Sequence, residues 1–347
     1  MKQLVSVVYD GIKNSVFKGQ VLEPLRLLSH EYIITLVSFE LKPIDSDYLK
    51  ALQANYPNIT FIIRKRLRVF TQLSLYPAIY QLKKIIGNFE SYTLRARGPL
   101  ASIICAKAAN PKQCQGLIIQ VRGLLGAEYE YVNQIPAHTS WFSMLRAQDL
   151  YALEQKIYNT KLLNNLGYPV RIEAVSQALK DYLVETYTLA PESIYVPTDD
   201  IPEFIAKAQI KLWRKEIRKE LGINPLVKVF CYNGSAKPWQ CPDQVIAFFK
   251  EQLIVKPKSF LLIITQETAI FKLLLQEAHI ARENYALISV DHAQIYRYLS
   301  ACDKGIIFRK PHIINWISRP TKVLEYQAVG LEVIHNNTVK WLTHNCL

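Results

Sequence analysis

The chain contains 347 residues, with 42 Lys and Arg against 29 Asp and Glu, and half of its residues are hydrophobic. This length corresponds to roughly two domains of ordinary size, each able to bury its own core. With 20% charged and 11% aromatic residues, the composition excludes disordered and collagen-like chains. The formal charge of +13 leaves three anionic classes of partner: nucleic acid, a membrane face or phosphorylated ligands.

Neither a membrane span nor a signal peptide is expected. A span needs about 20 mostly apolar residues, whereas the uncharged stretch 69–82 contains Pro77 and several polar residues between Arg68 and Lys83. The apolar run near the N-terminus meets Asp10 too early for a signal peptide. The six cysteines show no C-x-x-C pair and no metal-ligand spacing. The sequence therefore predicts a reduced, cytoplasmic protein.

Short β-rich runs alternate with helical patterns along nearly the whole chain. The predicted strands are residues 4–8, 32–39, 59–63, 117–121, 170–175, 227–232, 260–265, 286–290, 305–308 and 332–335. The predicted helices are residues 21–29, 47–54, 72–86, 100–109, 177–186, 242–253, 269–276, 293–300 and 321–328. Most strand runs are continuous Val, Ile and Leu, which is typical of strands covered on both faces. The pattern predicts an α/β fold with parallel sheets.

The chain is expected to divide into two domains near residue 200. Two prolines and two acidic residues follow an apolar strand in the segment 195–202. A basic helical stretch at residues 203–221 comes next, and a new strand–helix series begins after Leu226. The predicted domains are residues 1–200 and 201–347.

Several enzyme motifs do not occur in the sequence. It contains no G-x-S-x-G, no G-x-x-x-x-G-K-[ST] and no G-x-G-x-x-G, and its histidines form no H-x-x-x-H pair. Asp45-Ser46-Asp47 matches the D-x-D pattern of divalent-metal sites. These residues stand at the start of a helical pattern, where Asp caps free N–H groups. We favour the helix cap over the metal site and expect no bound metal.

Glycine and arginine recur at the ends of strands in the first half. Gly11 follows the first strand, and the pairs Arg97-Gly98 and Arg122-Gly123 follow two further strand-like runs. Ligands of open α/β sheets bind outside the carboxyl ends of the strands. One such arginine is usually a surface residue, but two at equivalent strand ends indicate a lined cleft.

The second half carries a more specific pattern. A strand leads into the turn 233–240, where Ser235, Lys237 and backbone N–H groups suit a diphosphate. Arg309 ends another strand. The run 318–330 then has a proline at a helix start and Glu325 one turn inside. Glu325 is either a solvated helix carboxylate or an acceptor of hydrogen bonds from ribose hydroxyls.

The run 318–334 resembles the nucleotide-sugar signature of the family-4-like GT-B glycosyltransferases, P-x-K-x-x-E-Y-x-x-x-G-x-x-V-I. Segments 233–240, 260–265 and 291–309 are similar to other parts of the same C-terminal domain, and segments 120–123 and 173–179 resemble N-terminal ones. The resemblance covers most of the chain. It implies two Rossmann-like domains facing across a cleft, with residues 1–200 on the acceptor side and residues 201–347 binding the donor.

The resemblance also implies site roles. Glu325 would bind the donor ribose, and backbone groups of the segment 318–321 would neutralise the diphosphate together with Lys237 and Arg309. The implied donor-binding residues are Ser235, Lys237, Arg309, Ser318, Pro320, Thr321, Lys322 and Glu325, and those of the acceptor-side cleft are Gly11, Arg97 and Arg122. The family generally uses no bound metal and no cofactor beyond its nucleotide-diphosphate sugar, and it retains anomeric configuration. No catalytic residue is identified.

Two departures from the family pattern stand out. Ile317 occupies the position where the family often has a second Glu, eight residues before the ribose carboxylate. The family also continues past the V-I strand through another strand and several helices, whereas this sequence ends at residue 347. We therefore expect the usual C-terminal portion to be missing.

The resulting hypothesis is a glycosyltransferase of cell envelope polysaccharide biosynthesis with a glycan or lipid-linked acceptor. The basic cluster Arg64, Lys65, Arg66 and Arg68, followed by the amphipathic stretch 70–86, suits peripheral contact with an anionic membrane at its inner face. A solvated loop before an ordinary helix is an equal alternative. The competing functions are a truncated, non-catalytic binding module and a nucleotide-sugar epimerase. No nucleic-acid motif occurs, so no nucleic-acid partner is expected.

Overall fold

The computed structural model describes residues 2–13, 17–68, 72–133, 141–197 and 204–345. The chain divides into two compact units, residues 1–197 (unit 1) and residues 198–347 (unit 2). The predicted boundary at residue 200 falls in the segment 198–203, outside the described residues. Each unit contains its own parallel sheet.

Unit 1 has a parallel seven-stranded sheet in the order β3-β2-β1-β4-β5-β6-β7. Its strands are β1 (Lys2–Val8), β2 (Tyr32–Glu40), β3 (Ile59–Lys65), β4 (Tyr92–Arg97), β5 (Cys114–Val121), β6 (Val170–Ala174) and β7 (Ile194–Tyr195). Its helices are α1 (Glu23–Leu28), α2 (Ser46–Asn55), α3 (Tyr76–Ile86), α4 (Gly98–Ala108), α5 (Leu125–Asn133), α6 (Trp141–Ile157), α7 (Thr160–Asn164) and α8 (Gln177–Tyr187). Strand order reverses beside β1, as in Rossmann-type sheets.

Unit 2 has a parallel five-stranded sheet in the order β10-β9-β8-β11-β12. Its strands are β8 (Val229–Asn233), β9 (Phe260–Ile264), β10 (Tyr285–Ile288), β11 (Lys304–Ile307) and β12 (Glu332–His335). Its helices are α9 (Lys207–Glu220), α10 (Pro242–Val255), α11 (Thr268–Glu277), α12 (Ile295–Leu299), α13 (Ile313–Trp316), α14 (Thr321–Ala328) and α15 (Lys340–Asn345). The central strand β8 again marks the reversal of strand order.

The strand β8 shows why the strand runs of the sequence are continuously apolar. Val229 and Cys231 face one buried cluster of unit 2, and Phe230 and Tyr232 face the other. All four side chains are buried because helices cover both faces of the sheet. The parallel α/β class predicted from the sequence is therefore confirmed.

All ten predicted strands are present, but the predictions omit β4 and β7. In β4, Tyr92, Leu94 and Ala96 are buried while Arg95 and Arg97 break the apolar run. Arg95 is tolerated because its guanidinium lies 3.4 Å from the Glu173 carboxylate. The helices α5, α6, α7, α13 and α15 were also missed, and three of them, α7, α13 and α15, are only four to six residues long.

The D-x-D segment caps a helix, as predicted. The Asp45 carboxylate accepts hydrogen bonds of 3.0 Å from the backbone N–H groups of Asp47 and Tyr48 at the start of α2. These bonds lower the pKa of Asp45. Within the described ranges, no helix combines the length and the apolar character needed to cross a membrane.

Candidate functional site

The packing of α14 against the unit 2 sheet places Glu325 at the carboxyl end of β8. The ring of Tyr326 lies against Gly305 of β11, where any Cβ would overlap it. The Tyr326 hydroxyl accepts a 3.1 Å hydrogen bond from the Asn233 backbone N–H. The Asn233 side-chain amide donates a 2.7 Å hydrogen bond to the Glu325 carboxylate. Glu325 is thus held by the last residue of β8 instead of being a freely solvated helix carboxylate.

Lys322, one turn before Glu325, joins α14 to the loop after β8. Its amine donates a 2.7 Å hydrogen bond to Gln240 Oε1, and the Gln240 amide donates one of 2.8 Å to Ser235 Oγ. Gly234 leaves the space for this contact, because a Cβ there would overlap the Lys322 amine and Gln240. Tyr232 closes the group by donating a 2.7 Å hydrogen bond to the Ser235 carbonyl.

The electrostatics of Lys322 are unusual. Burial of the amine and the positive charge of Arg309 lower the pKa of Lys322 to about 7, against an opposing contribution from Glu325. A lysine in this state exchanges its proton near neutral pH. The site therefore contains an amine that gains a full charge when an anion approaches.

Arg309, just beyond the end of β11, is a buried cation. The residue is 9% exposed, and its guanidinium donates a 2.9 Å hydrogen bond to the Phe308 carbonyl. The Asn336 side-chain amide donates a 2.8 Å hydrogen bond to the Arg309 carbonyl, and its Oδ1 accepts one of 3.2 Å from the Arg309 backbone N–H. Burial lowers the pKa of Arg309. Among the described residues, no carboxylate lies within ion-pair distance of Arg309, so its charge is balanced by no neighbouring acid.

The segment before α14 leads to an N-terminus without a side-chain cap. Pro320 is the N-cap residue, so the amides of Thr321 and Lys322 in the first turn receive no side-chain acceptor from it. The Ser318 hydroxyl donates instead to the Asn315 carbonyl at 2.8 Å. A helix N-terminus of this kind favours negative charge.

The structure thus brings most of the predicted donor-binding residues to one edge of the unit 2 sheet. Ser235, Lys322 and Glu325 belong to one hydrogen-bonded cluster with Asn233 and Gln240, which we call the β8–α14 cluster. Lys237 lies outside this network: it is exposed, with its amine 5.0 Å from the centre of the Trp239 ring. The sequence analysis singled out neither Asn233 nor Gln240, although both lie in the segment 233–240, because their contacts with Glu325 and Lys322 span 92 and 82 residues of the chain.

In unit 1, Gly11 and Arg97 lie at the carboxyl ends of the paired strands β1 and β4. Arg97 lies opposite Val8 in the β1–β4 register. Its guanidinium donates to Asp10 at 3.1 Å and to Gln20 at 2.8 Å. Its remaining terminal nitrogen, NH1, is buried without a partner among the described residues. Arg97 therefore keeps one donor for a further acceptor.

The turn after β1 is held by a buried acid that the sequence did not indicate. The Glu40 carboxylate accepts hydrogen bonds from the Ile12 N–H at 2.9 Å and from the Ser38 hydroxyl at 2.6 Å. Gly11 has φ +89°, and a Cβ there would lie 2.9 Å from Glu40. Arg122 is half-buried, one residue beyond β5. The three predicted cleft residues of unit 1 therefore lie at or just beyond the carboxyl ends of its strands.

The basic segment formed by the last two residues of β3 and the three that follow has both structural and exposed side chains. The Arg66 guanidinium lies 4.6 Å from the centre of the Tyr9 ring and donates to the Phe39 carbonyl at 3.1 Å. Arg64, Lys65 and Arg68 are exposed. The following helix α3 is amphipathic, with Ile79, Leu82 and Ile86 among its buried residues and Tyr76 and Tyr80 exposed. Residues 70 and 71 of the predicted amphipathic stretch lie outside the described residues.

Comparison with known proteins shows a likeness in structure alone. No protein-family model matches the sequence, and no curated protein sequence matches it. A glycosyltransferase from Rickettsia africae is 15% identical with a TM-score of 0.64, over 99% of this chain and 82% of its own. WaaG, a glycosyltransferase involved in lipopolysaccharide biosynthesis, is 12% identical with a TM-score of 0.62, over 98% of this chain and 83% of its own.

A third similar structure has a different assigned reaction. It is a Listeria monocytogenes protein assigned as a UDP-N-acetylglucosamine 2-epimerase, 11% identical with a TM-score of 0.53, over 99% of this chain and 81% of its own. These likenesses extend over both units. The chain has the fold of the GT-B glycosyltransferases, two Rossmann-like domains each built on a parallel sheet.

Proposed function

We propose that this chain is a glycosyltransferase that moves a sugar from a nucleoside-diphosphate donor to a glycan or lipid-linked acceptor. The observation that carries the proposal is the β8–α14 cluster: a held carboxylate, Glu325, stands one turn from the titratable amine of Lys322 beside the buried Arg309. A carboxylate suits ribose hydroxyls, and adjoining cations suit a diphosphate.

Donor binding follows from this arrangement. Glu325 accepts hydrogen bonds from the ribose, while Lys322, Arg309 and the first-turn amides of α14 face the diphosphate. Ser235 and the backbone of the loop after β8 line the same edge, with Ser318, Pro320 and Thr321 leading into α14. Exposed Lys237 contributes charge from the rim. Unit 2 is then the donor domain.

The cations serve the chemical step as well as binding. As the glycosidic bond breaks, negative charge grows on the leaving diphosphate, and preorganised positive charge stabilises that charge most in the transition state. Lys322 and Arg309 fill this role without a metal ion. The sugar passes through an oxocarbenium-like transition state, and we propose that its anomeric configuration is retained.

The acceptor is proposed to bind unit 1. The free NH1 donor of Arg97, with the neighbouring Gly11 and Arg122, offers hydrogen bonds to hydroxyl or phosphate oxygens of an acceptor. The exposed Arg64, Lys65 and Arg68 beside α3 suit an anionic membrane that holds lipid-linked acceptors. The similar fold of WaaG, a protein of lipopolysaccharide biosynthesis, supports a role in the cell envelope.

A panel of nucleotide sugars with mixed glycan acceptors tests the proposal. We expect release of a nucleoside diphosphate with one donor and loss of donor binding in Glu325→Ala. Glu332→Ala is the matched control, because Glu332 is exposed and pairs with Lys304 away from the cluster. The proposal is wrong if no donor binds and the chain instead binds oligonucleotides in a salt-sensitive manner.

The epimerase is the second candidate, because a structure assigned to that reaction shares the fold. An epimerase would convert the nucleotide sugar without an acceptor and without releasing nucleoside diphosphate. Proton NMR of the sugar ring after incubation without acceptor distinguishes the two reactions. A new 2-epimer in that sample would replace the transferase proposal.

A further inference from the structure

A groove of about 800 Å³ lies at the amino ends of the unit 2 strands, opposite the edge that carries the β8–α14 cluster. Its walls are the loop 222–228 before β8 and the segment 256–260 that leads into β9. Arg214, Glu283, Asn284 and Asp303 complete the lining. The proposed donor chemistry uses none of these residues.

The first wall is held rigidly from beneath by Arg218. This side chain is 5% exposed and donates to the carbonyls of Pro225 at 2.8 Å and Val227 at 3.1 Å. The Leu226 N–H donates to Asn224 Oδ1 at 2.9 Å within the turn. The loop is therefore fixed in one shape although it lies at the surface.

The second wall is fixed in a similar way. The Asn284 side-chain amide donates bonds of 3.1 Å to the carbonyls of Pro257 and Ser259. The Ser259 N–H donates to the Lys256 carbonyl at 2.9 Å, which closes the turn after α10. Both walls thus present their exposed side chains from defined backbone positions.

Three lysines line the groove without an acidic partner. Lys228 comes from one wall and Lys256 and Lys258 from the other, and none forms an ion pair within the part of the chain that the structure describes. The Asp303 carboxylate is taken by Arg214 at 2.6 Å and by Arg218 at 3.1 Å. Glu283 is the other acid of the lining, so the groove is electropositive and suits an anion.

Large exposed apolar side chains lie next to these lysines, on the first wall and at the end of α10. Leu226, two residues before Lys228, is 95% exposed, and Ile254 and Val255, just before Lys256, are 79% and 73% exposed. Single exposed apolar residues are common. Here Leu226 lies on the first wall two residues before Lys228, and Ile254 and Val255 end α10 directly before the second wall. Exposed apolar side chains therefore adjoin the lysines at both walls, which is the composition of a surface that meets lipid.

We propose that this groove binds the surface of an anionic bilayer: an anionic phospholipid headgroup enters between the lysines, and Leu226, Ile254 and Val255 enter the adjacent acyl boundary. A soluble anion would satisfy the lysines but leave the three apolar side chains in water. A bilayer accommodates the lysines and the apolar side chains together, because negative surface charge and apolar material lie within one interface.

Vesicle co-sedimentation with the full chain tests the proposal, without any nucleotide. Vesicles of phosphatidylglycerol and phosphatidylcholine should bind the protein, and pure phosphatidylcholine should not. Each lysine near a charged surface contributes about 1 kcal/mol, so the triple substitution Lys228→Gln, Lys256→Gln and Lys258→Gln should weaken binding about 100-fold. The matched control replaces the exposed Lys219, Lys250 and Lys272, which lie outside the lining, with glutamine.

A second variant, Leu226→Ser with Val255→Ser, separates lipid from a soluble anion. We expect it to weaken vesicle binding while pyrophosphate, used as the soluble probe, fails to compete with vesicles. All assays are repeated in proteins that also carry Arg64→Gln and Lys65→Gln. The comparison measures the contribution of unit 1 to vesicle binding separately. The proposal is overturned if the triple variant binds like its control, or if the serine variant binds like wild type and pyrophosphate displaces the vesicles.

Discussion

The side-chain amide of Asn233 donates a 2.7 Å hydrogen bond to the carboxylate of Glu325, 92 residues further along the chain. The bond joins the end of β8 to the second turn of α14. It fixes the orientation of the one carboxylate that the proposed donor ribose needs. A charged acceptor makes this bond stronger than one between neutral groups.

Replacing Asn233 should therefore weaken binding of the nucleotide sugar, although Asn233 itself is not proposed to contact the nucleotide sugar. In Asn233→Ala, Glu325 loses its positioning bond, and we expect affinity for the nucleoside diphosphate to fall roughly 10- to 100-fold by isothermal titration calorimetry. Asn284→Ala removes a comparable structural amide of unit 2 and should lower stability while leaving affinity unchanged. Equal losses of affinity in both variants would contradict the role given to Asn233.

The pKa of Lys322, about 7, predicts that donor binding takes up a proton. A bound diphosphate stabilises the ammonium form and raises this pKa, so above pH 7 binding requires protonation. Affinity should fall as pH rises, by up to about tenfold per pH unit above neutrality. Calorimetry across pH should show this slope in wild type and in Lys237→Gln, but a flatter one in Lys322→Gln. An unchanged slope in Lys322→Gln would assign the proton to another group.

Gly234→Ala should destabilise unit 2 and disturb the site together. The new Cβ would overlap the Lys322 amine and Gln240 Oε1, so Lys322 must leave its partner. Both atoms are the far ends of flexible side chains, so the loss of stability comes mainly from the broken Lys322–Gln240 hydrogen bond and should be about 1 kcal/mol by urea denaturation. Gly19→Ala is the control, because Gly19 is exposed with open space around its Cα. Wild-type stability in Gly234→Ala would show that the loop is looser than the contacts indicate.

Arg218 should be worth far more to stability than an exposed arginine. It pairs with Asp303 at 3.1 Å and donates to four backbone carbonyls, those of Ala301, Asn224, Pro225 and Val227. Arg218→Met leaves Asp303 and these carbonyls short of donors, and we expect a loss of about 3–5 kcal/mol. Arg297→Met removes a 3.3 Å pair with Glu216 at the surface and should cost less than about 1 kcal/mol.

Glu154 of α6 should make unit 1 less stable as pH rises. It is fully buried and accepts bonds from the Leu125 and Gly126 N–H groups at 2.6 and 3.2 Å. Burial raises the pKa of Glu154 from 4.5 to about 7. Between these values the native state holds a proton that the unfolded chain has lost, so the contribution of Glu154 to stability is complete below about pH 4.5 and is lost as the pH rises to about 7.

The free energy of unfolding is expected to fall by about 3 kcal/mol through the titration of Glu154 alone. Urea denaturation at several pH values should show a flatter profile in Glu154→Gln, which keeps an acceptor oxygen without the charge. Glu185→Gln, at an exposed position of α8, should leave the profile as in wild type. A wild-type profile in Glu154→Gln would refute the assignment.

Local patterns in the sequence predicted a large part of the fold and part of the site. The continuous apolar runs indicate strands covered on both faces, and ten of the twelve strands in the described part of the chain follow from them. Asp45 caps α2 because a cap depends only on neighbouring residues. The motif of residues 318–330 likewise placed Lys322 and Glu325 on one helix. Whether the family's C-terminal portion is missing stays a prediction.

Only the tertiary structure decided which distant residues meet. The order of the strands brings Asp10 to Arg97 and Asn233 to Glu325, and no periodicity encodes either pair. The same applies to the groove, whose two walls come from loops about 30 residues apart. A repeat of two or 3.6 residues determines local conformation, whereas hydrogen bonds and charge balance depend on how the sheet orders its strands. The sequence by itself determined the parallel α/β class and the α14 motif; packing decided that Lys322 loses water, and with it much of its affinity for a proton.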